Sequence, residues 1–241
     1  MKTIILKSVI ILFLATITSS CGIDMFNKVD GNRNVIIKER KLNDNFTAIR
    51  VSSGLDLYLT QGDENSLTIE ADENLHDIIL TKIDNGRLYI YTKKGIWLAK
   101  ARKIHVTVKN LEELDASSGS DVFSENTILT SNFKVNVSSG ADVKIEVNAE
   151  SVYSSTNSGS DLKIFGETEN HTANASSGSS IDAYNLISKN VTVNVNSGAD
   201  INIFASENLN ANANSGGDID YRGNPKVLNK KSSSGGSISA K

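Results

Sequence analysis

Five aspartates, Asp121, Asp142, Asp161, Asp200 and Asp218, each stand two residues after a glycine. Carboxylates repeated in one context offer three chemistries. They can accept hydrogen bonds from the N–H groups of a turn, hold Ca²⁺ through oxygen ligands, or line a sugar-binding edge. Turn capping is preferred, because calcium-binding β-rolls use a shorter and more glycine-dense repeat. Asp142, Asp161 and Asp200 remain candidates for binding. Phe165, Tyr184 and Phe204 stand six places after their own glycines. Exposed rings in such a stripe would stack on sugar faces, and packing over a corner is the competing reading. Catalysis finds less support. His76, His105 and His171 are scattered and the chain has 1 cysteine, so no zinc spacing exists and no metal or cofactor is implied. Acids and serines recur so regularly that no catalytic pair stands apart. The glycines lie between alternating apolar runs, which is the wrong context for a phosphate loop. A net charge of −3 gives no nucleic-acid footprint.

These residues are held by a repeat. Ser-Gly, a small residue and usually Asp recur around Gly119, Gly140, Gly159, Gly178, Gly198, Gly216 and Gly235, with successive glycines 18 to 21 residues apart. Three and five places after the glycine the chain is apolar, as at Val143 and Ile145, or Ile201 and Ile203. Three and five places before it stand apolar or small residues, such as Val135 and Val137, or Ala173 and Ala175. A period of two on both sides of a glycine reads as strand, corner, strand. One coil cannot bury its own apolar face, so coils must stack in parallel and share a core. The expected fold is all-β: a single-stranded parallel β-helix of about 19–20 residues per coil, with an irregular N-terminal β cap. At ~4.8 Å between strands, seven coils extend roughly 34 Å. Each glycine is expected at φ > 0.

Residues 1–20 read as a targeting segment, with Lys2 and Lys7 ahead of an apolar run from Val9 to Ile17. That run is too short for a mature membrane span. Thr18-Ser19-Ser20-Cys21 follows. This arrangement resembles a bacterial lipoprotein, cleaved before Cys21 with lipid carried on its thiol; Thr18 replaces the usual leucine. An ordinary cleavage site beside an incidental thiol is the alternative. Residues 21–33 read as a tether, and residues 34–113 as the cap and first irregular coils. Residues 114–241 form the regular solenoid. Within the cap, Asp72 to Asp77 reads as one helical turn, and Ile79 to Tyr91 as a hairpin around Asp84-Asn85-Gly86.

Phe46-Thr47-Ala48-Ile49-Arg50-Val51-Ser52-Ser53-Gly54 resembles the opening of the family called putative auto-transporter adhesin, head GIN domain. Leu59-Thr60-Gln61-Gly62-Asp63 and Leu67-Thr68-Ile69-Glu70-Ala71-Asp72-Glu73-Asn74-Leu75 match its following motifs. The likeness runs over about residues 46–224. It departs at Leu55-Asp56, where the family often has Ile-Asn. The resemblance implies a β-helix similar in outline to pectin lyases, without established catalytic residues.

The sequence is therefore read as a non-enzymatic, lipid-anchored cell-envelope protein, adhesin-like in binding or surface organisation. The alternative is a carbohydrate-active lyase or hydrolase on the same fold. Expected partners are the membrane through its lipid, a glycan or envelope protein, and a second copy in a weak homodimer. That dimer would form through the flat positions Asn136, Ser155, Asn174, Asn194 and Asn212. Lys226, Lys230 and Lys231, placed just before the last coil, would oppose end-to-end stacking.

Overall fold

The computed structural model describes residues 28–241. The targeting segment, Cys21 and the first part of the tether lie outside them. Alternating patterns become strands throughout. Ahead of the regular coils stand β1 (Lys28–Val29), β2 (Val35–Glu39), β3 (Ala48–Val51), β4 (Asp56–Gln61) and β5 (Ser66–Asp72). They are followed by β6 (Ile79–Asp84), β7 (Arg87–Thr92), β8 (Gly95–Ile96) and β9 (Arg102–Val108). The coils continue through β10 (Glu113–Ala116), β11 (Asp121–Ser124), β12 (Ile128–Ser138), β13 (Asp142–Asn157) and β14 (Asp161–Ser176). They end with β15 (Ser180–Ala183), β16 (Leu186–Val195), β17 (Asp200–Phe204), β18 (Asn208–Ala213), β19 (Asp218–Arg222), β20 (Val227–Ser232) and β21 (Ser237–Ala240).

Two parallel walls meet at the glycine corners. The wall before the corner stacks β7, β3, β10 and the end of β12, then the ends of β13 and β14, then β16, β18 and β20. The wall after it stacks β9, β4 and β11, the starts of β13 and β14, then β15, β17, β19 and β21. A third wall joins Ile128, Val147, Gly166 and Leu186 in register. Gly166 is required there: at φ 118°, a Cβ would lie 2.1 Å from the Val147 carbonyl oxygen.

Inward positions form one continuous core. Val135, Val137, Val143, Ile145, Leu162 and Ile164 are all buried. Full burial contributes about 1.5–3 kcal/mol for each large aliphatic side chain. One inward column runs Phe133, Val152, His171, Val191, Leu209, so a histidine interrupts an apolar line. Its Nε2 lies 2.9 Å from the Ser154 hydroxyl, in the same core. Burial pushes the imidazole down from 6.5 to about 4, so His171 is neutral at pH 7.

Stacking order departs from chain order at the N-terminal end. Gly54 is a true corner, and its N–H donates to the Ser118 carbonyl at 3.0 Å. The coil of β7 and β9 lies beyond it, on the outer side, although it comes later in the chain. Beyond that coil the end is closed by antiparallel pairs, β6 with β7 and β2 with β5 with β9. Antiparallel strands fold back on themselves and so terminate the stack. The expected helical turn is a 3-10 turn, Glu73–Leu75. Asp72 before it is buried and accepts hydrogen bonds from the N–H groups of Arg33, Lys100 and Ala101. Burial, the largest single influence, pushes its carboxyl up, but the three donors together hold it below the usual carboxylate range.

At the other end β20 pairs with β18 and β21 with β19, each on one side only among the described residues. Lys230 and Lys231 lie within β20, not ahead of the coil as the sequence suggested. All six residues of β20 are exposed.

Candidate functional site

Each corner consists of two left-handed residues. The eight glycines of the repeat, Gly54 included, have φ between 65° and 81°. The serine before each also has positive φ, 51° to 71°. Positive φ at both central residues, with the Ala141 N–H donating to the Ser138 carbonyl, defines a type I′ turn. The glycines were foreseen and the left-handed serines were not. Each corner glycine N–H also donates to the serine carbonyl of the neighbouring corner, at 3.0–3.2 Å from Gly54 through Gly216. That bond locks the coils in register, so residues at equal distance from the corner form straight columns.

The aspartate column forms as expected: Asp56, Asp121, Asp142 and Asp161 pair in register, and Asp200 with Asp218. The turn-capping expectation does not hold. Among the described residues, none of these carboxylates accepts a hydrogen bond from its own corner. A left-handed pair already closes the turn through its own backbone, leaving the side chain free to face outward. Where the column is broken by serine, the hydroxyl donates across: Ser180 to Asp161 at 2.5 Å and Ser237 to Asp218 at 2.6 Å. The carboxyls of Asp142 and Asp200 are raised, first by partial burial and then by like charges in adjacent coils. Asp56 is also raised by burial, against the pull of Arg102. Like charges ~4.8 Å apart cost about 0.9 kcal/mol per pair in water. No group of three or more His, Cys, Asp or Glu among the described residues has a geometry to hold a metal ion.

Phe165, Tyr184 and Phe204 lie half-buried on the outside of the same wall. Phe165 pairs with Glu146 and Phe204 with Arg222. The Arg222 guanidinium lies 4.0 Å from the Tyr184 ring centre, so this ring is occupied by a cation. A second aromatic group was missed. Tyr58 stacks on His105 at 5.1 Å and on Phe123 at 5.6 Å between ring centres. The inverted layer order brings these distant residues together, and nothing local in the sequence signals it.

The wall before the corner carries the more extensive feature. Asn136, Ser155, Asn174, Asn194 and Asn212 share one outward column, as expected. The Asn194 amide donates to Asn174 at 3.1 Å, and Asn212 to Asn194 at 3.2 Å. Four residues along each strand a parallel ladder exists: Asn190 donates to Asn170 at 3.1 Å, and Asn208 to Asn190 at 2.5 Å. Threonines Thr172 and Thr192 pair between them. A shallow groove of about 680 Å³ runs past Asn132, Lys134, Ser151, Tyr153, Asn170 and Thr172. It meets a second depression, about 270 Å³, along Asn190, Thr192, Asn208 and Asn210. The middle amides, Asn190 and Asn194, each use one N–H and one carbonyl lone pair on their neighbours, leaving one donor and one acceptor site, and the end amides make one ladder bond each. Tyr153 and Leu129 stand exposed at the groove's edge.

The fold is thus a parallel β-helix that presents register-locked polar columns and a long open groove. The chain belongs to the family described as putative auto-transporter adhesin, head GIN domain, whose model matches residues 45–225. Among solved structures it is similar to a putative adhesin from Bacteroides fragilis, at 21% identity and a TM-score of 0.83, over 88% of this chain and 100% of that one. It is also similar to a putative lipid binding protein from Parabacteroides distasonis, at 21% identity and a TM-score of 0.72, over 88% and 99% of the two chains. A putative adhesin from Parabacteroides merdae matches at 20% identity and a TM-score of 0.70, over 89% and 99%. At these identities the likeness establishes the fold. No curated protein matches this chain.

Proposed function

We propose that this chain is a non-enzymatic, lipid-anchored envelope protein that binds an extended neutral glycan along its asparagine wall. Membership of an adhesin family supports a surface role. The observation that carries the ligand class is the pair of asparagine ladders beside the Tyr153 groove. Their spare donors and acceptors recur at the coil spacing, and the ladders carry no charge. A polymer with many hydroxyls meets such a row with repeated hydrogen bonds, and a sugar face stacks on tyrosine. Glycan-array binding tests this reading. Wild type should bind a neutral polysaccharide, and Tyr153→Ala should weaken that binding at least tenfold, about 1.4 kcal/mol. An array without bound glycan, or equal binding by the variant, removes the reading.

Anchoring rests on Cys21 directly after an apolar targeting core. Several acyl chains, at about 0.8 kcal/mol per buried CH₂, hold a protein stably to a bilayer. Wild type should incorporate labelled fatty acid, and Cys21→Ser should not.

A further inference from the structure

In the regular coils three or four residues lie between the strands that flank a corner. In the outermost coil nine residues, 93–101, stand between β7 and β9. That loop carries Lys93, Lys94 and Lys100, together with Trp97 and Leu98, each of the last two 57% exposed. The incoming chain is stitched to it. β1 pairs in parallel with β8, Trp97 N–H donates to the Val29 carbonyl, and Gly31 N–H donates to the Leu98 carbonyl. The Lys28 ammonium lies 4.5 Å from the Trp97 ring centre. Arg33 borders Leu98, and Arg102 borders Lys93 and Lys94 across a shallow depression.

The charge here is one-sided. Asp72 lies beneath, but it is buried and bonded to backbone N–H groups. Asp56 faces Arg102 at 3.8 Å. Asp30 is the exposed acid on the incoming segment. Lys28, Arg33 and Lys100 therefore border an exposed indole and an exposed leucine, and Lys93, Lys94 and the Asp56-paired Arg102 lie on the same edge. Buried cores do not need such an arrangement, and water disfavours its apolar part. Indole and leucine between lysines suit the boundary between headgroups and acyl chains, where the ring enters and the ammonium groups meet phosphate.

We propose that the 93–101 loop with the 28–33 segment is a membrane-docking edge that seats this end of the rod on an anionic phospholipid bilayer. Position agrees with the chemistry. Cys21 stands seven residues before Lys28. Fully extended, that length reaches at most about 24 Å, so a lipid on Cys21 keeps this edge within reach of headgroups. The orientation rests on the anchoring reading above, but the surface itself does not need the lipid. With this edge down, the coils project away from the bilayer and the asparagine wall remains accessible.

Trp97 is the 1 tryptophan of the chain, so its fluorescence reports this loop alone. The test uses the chain from Gly22 onward, which lacks Cys21 but keeps every described strand and the whole core. Adding phosphatidylcholine vesicles containing phosphatidylglycerol should blue-shift Trp97 emission and sediment the protein with the vesicles. Phosphatidylcholine alone should do neither, and added salt should reverse binding. Lys93→Gln with Lys94→Gln should weaken vesicle binding roughly 30-fold, since a lysine at an anionic surface contributes about 1 kcal/mol. Trp97→Ala should reduce sedimentation with unchanged folding by circular dichroism. Absence of a blue shift on anionic vesicles at low salt overturns the proposal, as does equal binding by the double lysine variant. Because the protein from Gly22 onward carries no Cys21, failure of acylation would leave these outcomes unchanged, and their failure would leave acylation standing.

Discussion

His171 makes the rod sensitive to mild acid. Its imidazole sits in the core column between Val152 and Val191, bonded to Ser154 on one side and without a partner at Nδ1. Burial holds it at about 4 instead of 6.5. The folded-state value is depressed for a base, so the unfolded chain binds the proton first as pH falls. Stability is therefore full above pH 6.5 and declines between 6.5 and 4. One pH unit corresponds to about 1.4 kcal/mol once the unfolded imidazole is fully protonated, so the loss from pH 7 to pH 5 is about 2 kcal/mol. The matching variant is His171→Leu with Ser154→Ala, which removes both polar partners together and leaves no orphaned group. Urea unfolding at pH 7 and pH 5 measures the difference between wild type and variant. The column aspartates Asp142 and Asp200, whose values are raised, change stability in the opposite sense. They are common to both proteins and cancel in the comparison. The wild type should lose about 2 kcal/mol more than the variant over this interval. Parallel losses in the two proteins would refute a buried neutral histidine.

Glycines in the two kinds of turn should respond differently. At Gly159 a Cβ meets nothing within 4 Å, so Gly159→Asn should cost under about 1 kcal/mol and Gly159→Val about 1–3, from backbone strain alone. Gly166→Ala drives a Cβ into the Val147 carbonyl and should cost more than either, read by thermal melting. Asp72→Asn should lose about 3 kcal/mol at pH 7, because hydrogen bonds to a charged acceptor contribute about 1.5–3 kcal/mol each. That difference from wild type should shrink as pH falls below 4, since the folded carboxyl is depressed and its contribution disappears on protonation. Self-association through the asparagine wall predicts a weak dimer in sedimentation over a concentration series. Asn174→Lys with Asn194→Lys should return it to monomer, and a wild type monomeric throughout would dismiss the dimer.

The solenoid was legible because inward and outward residues alternate around every corner, and glycine marks each corner. Val143, Ile145, Leu162 and Ile164 point where their spacing placed them. The hairpin around Asn85-Gly86 was equally local and equally readable. What stayed hidden depends on contacts between distant segments. The coil of β7 and β9 stacks outside the earlier coil of β3 and β4, and only that inversion brings Tyr58 between His105 and Phe123. The turn type was hidden for another reason. Serine is uncommon at positive φ, so the pair Ser-Gly reads as one special residue where the backbone uses two. The error over the aspartates follows from it, since a turn closed by its own backbone leaves no work for a side-chain cap. The second asparagine ladder, Asn170 to Asn208, was open to the same counting that found the first. Its signal was Asn at eight places before the glycine in consecutive repeats.

The bond from each corner glycine to the next corner's serine separates two properties that are usually coupled. Coil length varies from 18 to 21 residues between glycines, yet the columns beside the corners stay straight. The slack is taken up away from the corners, at residues 125–127, at Tyr184 and Asn185, at 205–207 and at 223–226. The corner edge thus acts as a ruled margin from which each line of text is set flush, while the opposite margin is ragged. Substitutions that rewrite a column need no change in coil length, and insertions on the ragged side need no change in the columns. A lineage with this architecture can alter what its flat walls display one line at a time, without refolding the page.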